Sequence, residues 1–373
     1  MPSNDSSIKT VSNKPPTRLT WSENVGKRIR TGSWQELAVA TVTCIRTELS
    51  AERWENAAQL VDYFMEEAKV CHNVYQSWTS GFVEWLRKQG VSDEDFSAEW
   101  IRLTRLLELP DGRVFEPQVL WLELGSLAGR LSAGIRAVSF DHGEAEEGLE
   151  QLREHWRQMH DRWVDLQWGL LTYIANRFGE DVIGDCYREV LTPYLDERYR
   201  PFDIREHPYE DTLDLNLYIA LEAMHGHLCG PGRLGNIGLV EHEDRWVLSF
   251  SPCGSCGRGK IGCPDEKTPS RCEAPYNFGV TTKKHDWAWN EIGVSYYEAH
   301  LSFATDMWPI EQWGAPVRVT DPPLYPDECT GPNPKPCMWT IYKTVAAVPE
   351  EAYRRVGKVK PSVVSKSYGA SKA

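Results

Sequence analysis

The chain has 373 residues and a net charge of −13, with 41 Lys and Arg set against 54 Asp and Glu. Such a balance excludes non-specific nucleic-acid binding and docking on anionic membranes, both of which need clustered cations. The length is enough to bury a substantial core without cross-links.

Residues 1–30, with Asn4, Asp5, Ser6 and the Pro15-Pro16 pair, are expected to be disordered and contain no apolar leader. No later stretch is long and apolar enough to span a bilayer. A cytoplasmic protein without nucleic-acid or membrane partners is therefore expected, with reduced thiols that hold metal rather than pair as disulfides.

From residue 31 to 229 the apolar residues recur at helical spacing, with Leu60, Phe64, Tyr75, Trp78, Phe82 and Trp85 on one stripe and Leu120, Leu124, Leu127, Leu131 and Ile135 on another. An all-helical half follows, broken at Gly90, at Pro110-Asp111-Gly112, at His142-Gly143 and at Gly179. Within it, Cys71-His72-Asn73 with Gly81-Phe82 resembles Met159-His160-Asp161 with Gly169-Leu170. This degenerate repeat is expected to place His72 and His160 in comparable positions beside a pocket.

Seven of the ten cysteines and five of the ten histidines fall between His225 and Cys337. In His225-Gly-His227-Leu-Cys229 alternate residues of an extended segment project to one side, so two imidazoles and a thiolate are expected to bind one ion and leave a position open. The loop Cys253-x2-Cys256-x6-Cys263-x8-Cys272 is the second candidate, a thiolate site for Zn or Fe. Its irregular spacing leaves open whether all four ligate or only Cys253 or Cys256.

Residues 230–350 read as an antiparallel α+β domain. Asn236–His242 and Arg245–Ser251 form a predicted hairpin around Glu243-Asp244, Gly293–Met307 a helix, and Pro316–Thr320 and Cys337–Val345 two strands. Asp286 and Glu298 are candidate bases toward metal-bound water, and His300 is a further catalytic candidate. Trp287, Trp289 and Trp339, among sixteen tryptophans, are candidates for an aromatic pocket. Residues 351–373 read as a flexible basic tail.

The stretch from Glu298 to Lys343, a helix ending near Trp313-Gly314, then Ala-Pro-Val-Arg-Val-Thr-Asp321, then Cys329-x7-Cys337-Met-Trp-Thr-Ile-Tyr, resembles the C-terminal half of the 4-vinyl reductase small-molecule-binding domain. That resemblance implies Asp321, Cys329 and Cys337 as zinc ligands, with Glu298 or His300 from the helix. It departs from the family at the insertion Pro322-Pro323-Leu324-Tyr325-Pro326, which separates Asp321 from Cys329.

Two functions are thus expected. One is a metal-dependent enzyme, with Zn or Fe, acting on a small aromatic or apolar substrate by Lewis-acid or metal-water activation. The other is a non-catalytic small-molecule sensor with a structural zinc. A homodimer is compatible with either.

Overall fold

In the computed structural model the described residues are 18–263, 266–330 and 333–362. The chain is mixed helix and sheet, with a helical first half and small antiparallel sheets, the coarse architecture expected. The helices are α1 (Trp34–Leu37), α2 (Thr41–Ser50), α3 (Trp54–Lys88), α4 (Asp93–Leu106), α5 (Pro117–Arg136), α6 (His142–Phe178), α7 (Ile183–Arg198) and α8 (Leu213–Gly226).

The apolar stripe of α3, from Leu60 through Phe64, Tyr75 and Phe82 to Trp85, is buried as its spacing predicts. Helix α6 differs because it is buried on every side from Met159 to Thr172. It starts at a capping box, Asp141 with Glu144, and stops at Gly179, whose φ of 93° suits a residue without Cβ. The predicted break at His142-Gly143 is its first turn.

This buried stretch of α6 nevertheless carries Asp161, Arg162 and Asp165, and such charges are tolerated only when paired. Asp161 meets Arg157 at 3.0 Å and Arg233 at 2.8 Å, and Asp165 meets Arg258 at 2.8 Å and Arg271 at 2.7 Å. Arg233, Arg258 and Arg271 all come from the second half. The carboxylates of α6 therefore fix where the cysteine-bearing segments lie.

The second half contains β3 (Gly238–Glu241), β4 (Arg245–Phe250), α9 (Cys256–Ile261), a π-helical turn (Ser302–Met307), α10 (Trp308–Trp313), β5 (Val319–Asp321), β6 (Cys337–Tyr342) and α11 (Glu350–Arg354). Its sheet has the order β3-β4-β6-β5, antiparallel throughout, with Phe250 opposite Cys337 and Leu248 opposite Trp339. The predicted hairpin is β3-β4. One apolar core runs through both halves, joining Phe64 and Trp163 to Phe250, Phe303 and Ile341.

Several expectations need correction. Residues 18–31 are not disordered, since β1 (Arg18–Ser22) and β2 (Lys27–Thr31) pair as a hairpin; residues 1–17 lie outside the described residues. Residues 350–356 are not a loose tail, because α11 buries Ala352, Tyr353 and Val356, while 363–373 lie outside the described residues. The helix expected over Gly293–Met307 begins only near His300, after a series of turns. Its widened turn precedes Pro309, whose ring and missing N–H disrupt a regular helix.

Replacing Asp165 by Ala leaves Arg258 and Arg271 short of a buried counter-charge and is expected to cost about 3–5 kcal/mol. A urea midpoint equal to that of wild type, at equal slope, would show that other contacts hold these arginines.

Candidate functional site

Three segments meet where β4 ends and β6 begins. Cys229 follows α8, Cys253 and Cys256 lie in and just after the turn leaving β4, and Cys337 opens β6. The thiols of Cys229, Cys256 and Cys337 all lie against Cys253. The Cys253 and Cys256 sulfurs are 4.0 Å apart, and the Gly254 amide donates to Cys229 Sγ at 3.4 Å.

Gly254 makes this approach possible, because a Cβ there would stand 1.6 Å from the His227 carbonyl oxygen. The thiols of Cys229, Cys256 and Cys337 pull the Cys253 thiol well below its ordinary pKa, against burial. Cys256 Sγ also lies 3.1 Å from Glu298 Oε1, and Glu298 pairs with the buried ammonium of Lys260. Burial pushes the Glu298 carboxyl up, against the pull of Lys260.

These thiols pack on Cys253 rather than around a shared centre. Among the described residues no group of three or more His, Cys, Asp or Glu is arranged to hold a metal ion.

The set drawn together differs from each of the three groupings expected from the sequence. Cys263 exchanges backbone hydrogen bonds with Thr268 and takes Arg157 Nη1 at 3.8 Å, and half-buried Cys272 lies in the turn after Ser270, so neither touches Cys253. Cys329 donates to the Pro323 carbonyl at 3.6 Å and lines a cavity of about 90 Å³ with Cys253 and Cys337. Asp321 pairs with Lys335 at 2.9 Å and is half-exposed.

His225, His227 and Cys229 are not on one extended segment. Helix α8 runs through His225, and Leu228 is left-handed, so the side chains diverge. His225 Nδ1 lies 3.0 Å from Glu67 Oε1, His227 faces Tyr75 and His160, and Cys229 faces Cys253.

His227 ends a buried hydrogen-bonded chain. Asp161 Oδ1 lies 3.0 Å from His160 Nδ1; His160 Nε2 lies 3.1 Å from Tyr75 Oη and 2.9 Å from His227 Nδ1; Tyr75 Oη and His227 Nδ1 are 2.9 Å apart. Burial raises the Asp161 carboxyl, but Arg233 and Arg258 outweigh it and hold it well below the carboxylate range. A carboxylate at Asp161 accepts from His160 Nδ1–H, so His160 Nε2 must accept in turn.

If Tyr75 donated to His227 Nδ1, two lone pairs would face each other at the His160–His227 contact. The consistent arrangement has Tyr75 donating to His160 and accepting from Tyr297 (3.3 Å) and from His227 Nδ1–H. His227 Nε2 then keeps its lone pair. Burial and His160 lower His227 to a pKa of about 3, so the imidazole is neutral.

Tyr75 and His227 line a cleft formed by α3, α7, α8, the π-helical turn, Arg318 and Trp339. Its cavity of about 80 Å³ compares with ~150 Å³ for one that accepts benzene. Trp78 and His300 sit on the wall with ring centroids 5.0 Å apart. Of the site residues named from sequence, His227, His300 and Trp339 line this cleft, and His160 lies behind it.

The others are elsewhere. His72 stacks on Trp121 at 4.2 Å and accepts from Trp163 Nε1–H, so the repeat does not give it the role of His160. Trp287 stacks on His285 at 4.6 Å, and Trp289 donates to Asp306, both as core contacts. Exposed Asp286 accepts from the Trp287 amide at 2.8 Å.

Tyr75, Tyr297, Asp161, Arg198 and Arg318 were missed. A signal for Asp161 existed, since a charge within an apolar helical run demands partners. Nothing in the local sequence marks Arg198 or Arg318.

The buried histidines give stability a pH dependence of definite sign. Burial lowers His72 and His300 to about 4 and His227 to about 3, whereas an unfolded histidine titrates near ~6.5. Below that value the unfolded chain takes up protons that the folded chain refuses. The histidine contribution is therefore complete above about pH 6.5 and is lost toward pH 4 and 3, by up to about 1.4 kcal/mol per pH unit for each histidine. Urea unfolding at pH 7.5 and pH 5 should show the loss, and equal midpoints would refute neutral burial.

No family model, curated protein or solved structure matches the chain.

Proposed function

We propose that the chain binds a small organic molecule in the His227 cleft, beside a structural metal site built from Cys229, Cys253, Cys256 and Cys337. The observation that carries the reading is the hydrogen-bonded chain from Asp161 through His160 and Tyr75 to His227. It fixes the tautomer and orientation of an imidazole that lines an aromatic cleft, which is how a pocket prepares a few polar contacts among apolar walls.

The donor set suits a soft ion, zinc first and iron as the alternative. Thiolates at ~2.3 Å from a tetrahedral ion stand roughly 3.8 Å apart, close to the 4.0 Å between Cys253 and Cys256. Binding would require the thiols to turn from Cys253 toward a common point. Four thiolates close a coordination sphere, so the ion would supply a cross-link between three segments.

Catalysis on the same ligand is a second reading, favoured by the Asp-His-Tyr relay. At a pKa of about 3 His227 is a weak base in the free protein, and a bound anion would raise it. Glu298 is engaged by Lys260 and Cys256 and serves here as a second support of the thiols.

Metal analysis of wild type, Cys253→Ser and Cys272→Ser tests the metal site. About one zinc per chain is expected in wild type and Cys272→Ser, with metal and thermal stability both lost in Cys253→Ser. Metal-free wild type, or metal retained by Cys253→Ser, refutes it. For the cleft, small aromatic compounds should raise the melting temperature of wild type and of Trp289→Phe but not of Trp78→Leu. Equal shifts in all three proteins would place binding elsewhere.

A further inference from the structure

The cleft contains two guanidinium groups and no carboxylate. Arg198 closes α7, and Arg318 immediately precedes β5; both line the cavity with His227, His300 and Trp339. Arg318 is 6% exposed, its guanidinium carbon lies 4.5 Å from the Trp339 ring centroid, and its Nη2 reaches Tyr199 Oη at 3.4 Å. Its Nε and Nη1 are buried without any partner. Arg198 lies 5.9 Å from the Tyr194 ring centroid.

Among the described residues neither guanidinium has a carboxylate within ion-pair distance. This contrasts with α6, where buried arginines meet Asp161 or Asp165. Leaving a buried donor unsatisfied costs about 1–3 kcal/mol, and more when it is charged. A chain with 54 acidic residues has no shortage of groups to neutralise Arg318, yet none of the described ones does so.

We infer that Arg318, with Arg198, receives the carboxylate of a small organic acid whose aromatic or apolar body lies against Trp78 and Trp339. This deepens the proposed binding role and rests on it. A guanidinium offers forked donors to a carboxylate, and the ring walls exclude the water that would otherwise weaken the contact. The cavity of about 80 Å³ limits the enclosed part to a few heavy atoms, so a larger acid leaves its remainder in the open mouth. His227 Nε2 is available to accept from a hydroxyl or amino group on the same ligand.

Backbone geometry holds Arg318 in place. Pro309 has no N–H to give to the Thr305 carbonyl one turn earlier, and that oxygen accepts instead from the Val317 amide at 2.9 Å and the Arg318 amide at 3.5 Å. The π-helical turn and the strand carrying the arginine are thereby tied together.

The test is titration calorimetry of the full chain with benzoate, benzamide and inorganic phosphate, in wild type, Arg318→Gln and Arg198→Gln, each checked for its melting temperature. Benzoate should bind wild type, with benzamide and phosphate at least tenfold weaker. Both variants should lose at least tenfold in benzoate affinity. Because it removes a buried charge that no carboxylate among the described residues neutralises, Arg318→Gln should melt no lower than wild type.

Equal affinity for benzoate and benzamide overturns the anion inference and leaves the binding cleft standing. Phosphate bound in preference to benzoate overturns the organic-acid class. If neither benzoate nor benzamide binds, the cleft reading fails with the inference. An Arg318→Gln variant that binds benzoate normally, or melts well below wild type, makes the arginine structural.

Discussion

Two carboxylates on one buried helix organise this molecule. Asp161 and Asp165, one turn apart on α6, are surrounded by Arg157, Arg233, Arg258 and Arg271. Burying such groups is costly unless the geometry and count of partners are right. The second half of the chain must therefore present its arginines where α6 can meet them, and Arg258 lies on α9 with Cys256 and Lys260. The ion-pair network fixes the segment that carries the thiols.

The same network controls the site electrostatically. Asp161 stays ionised because Arg233 and Arg258 outweigh its desolvation, and its charge orients His160, then Tyr75, then His227. Charge compensation in the core thus becomes hydrogen-bond direction at the cleft, more than one side chain away. The thiols adjoin the cleft where the His227 and Gly254 backbones meet, an approach too close for any residue but glycine at 254.

Helix periodicity made the first half legible in the sequence, and α3 and α5 lie where their apolar stripes put them. The β3-β4 hairpin was equally plain from its alternation and turn. Cysteine spacing misled, because proximity along the chain is not proximity in space. Cys263 and Cys272 follow Cys253 closely but turn away, whereas Cys229 and Cys337 arrive through sheet pairing and the end of α8. The extended reading of His225 to Cys229 failed because helix α8 continues through His225, where Glu67 on α3 lies within hydrogen-bond reach of the imidazole. Arg198 and Arg318 were invisible because what distinguishes them is the absence of a carboxylate partner among the described residues, a property of the folded state alone.

The proline at position 309 is not among the residues that line the cleft, yet it decides which amides the Thr305 carbonyl serves. Any other residue there would bring a competing N–H one helical turn away, and the oxygen would be shared between helix and strand. Selectivity could thus drift by substitution at a site that no comparison of pocket linings would flag. Two chains with the same cleft residues but a different residue 309 need not recognise the same molecules.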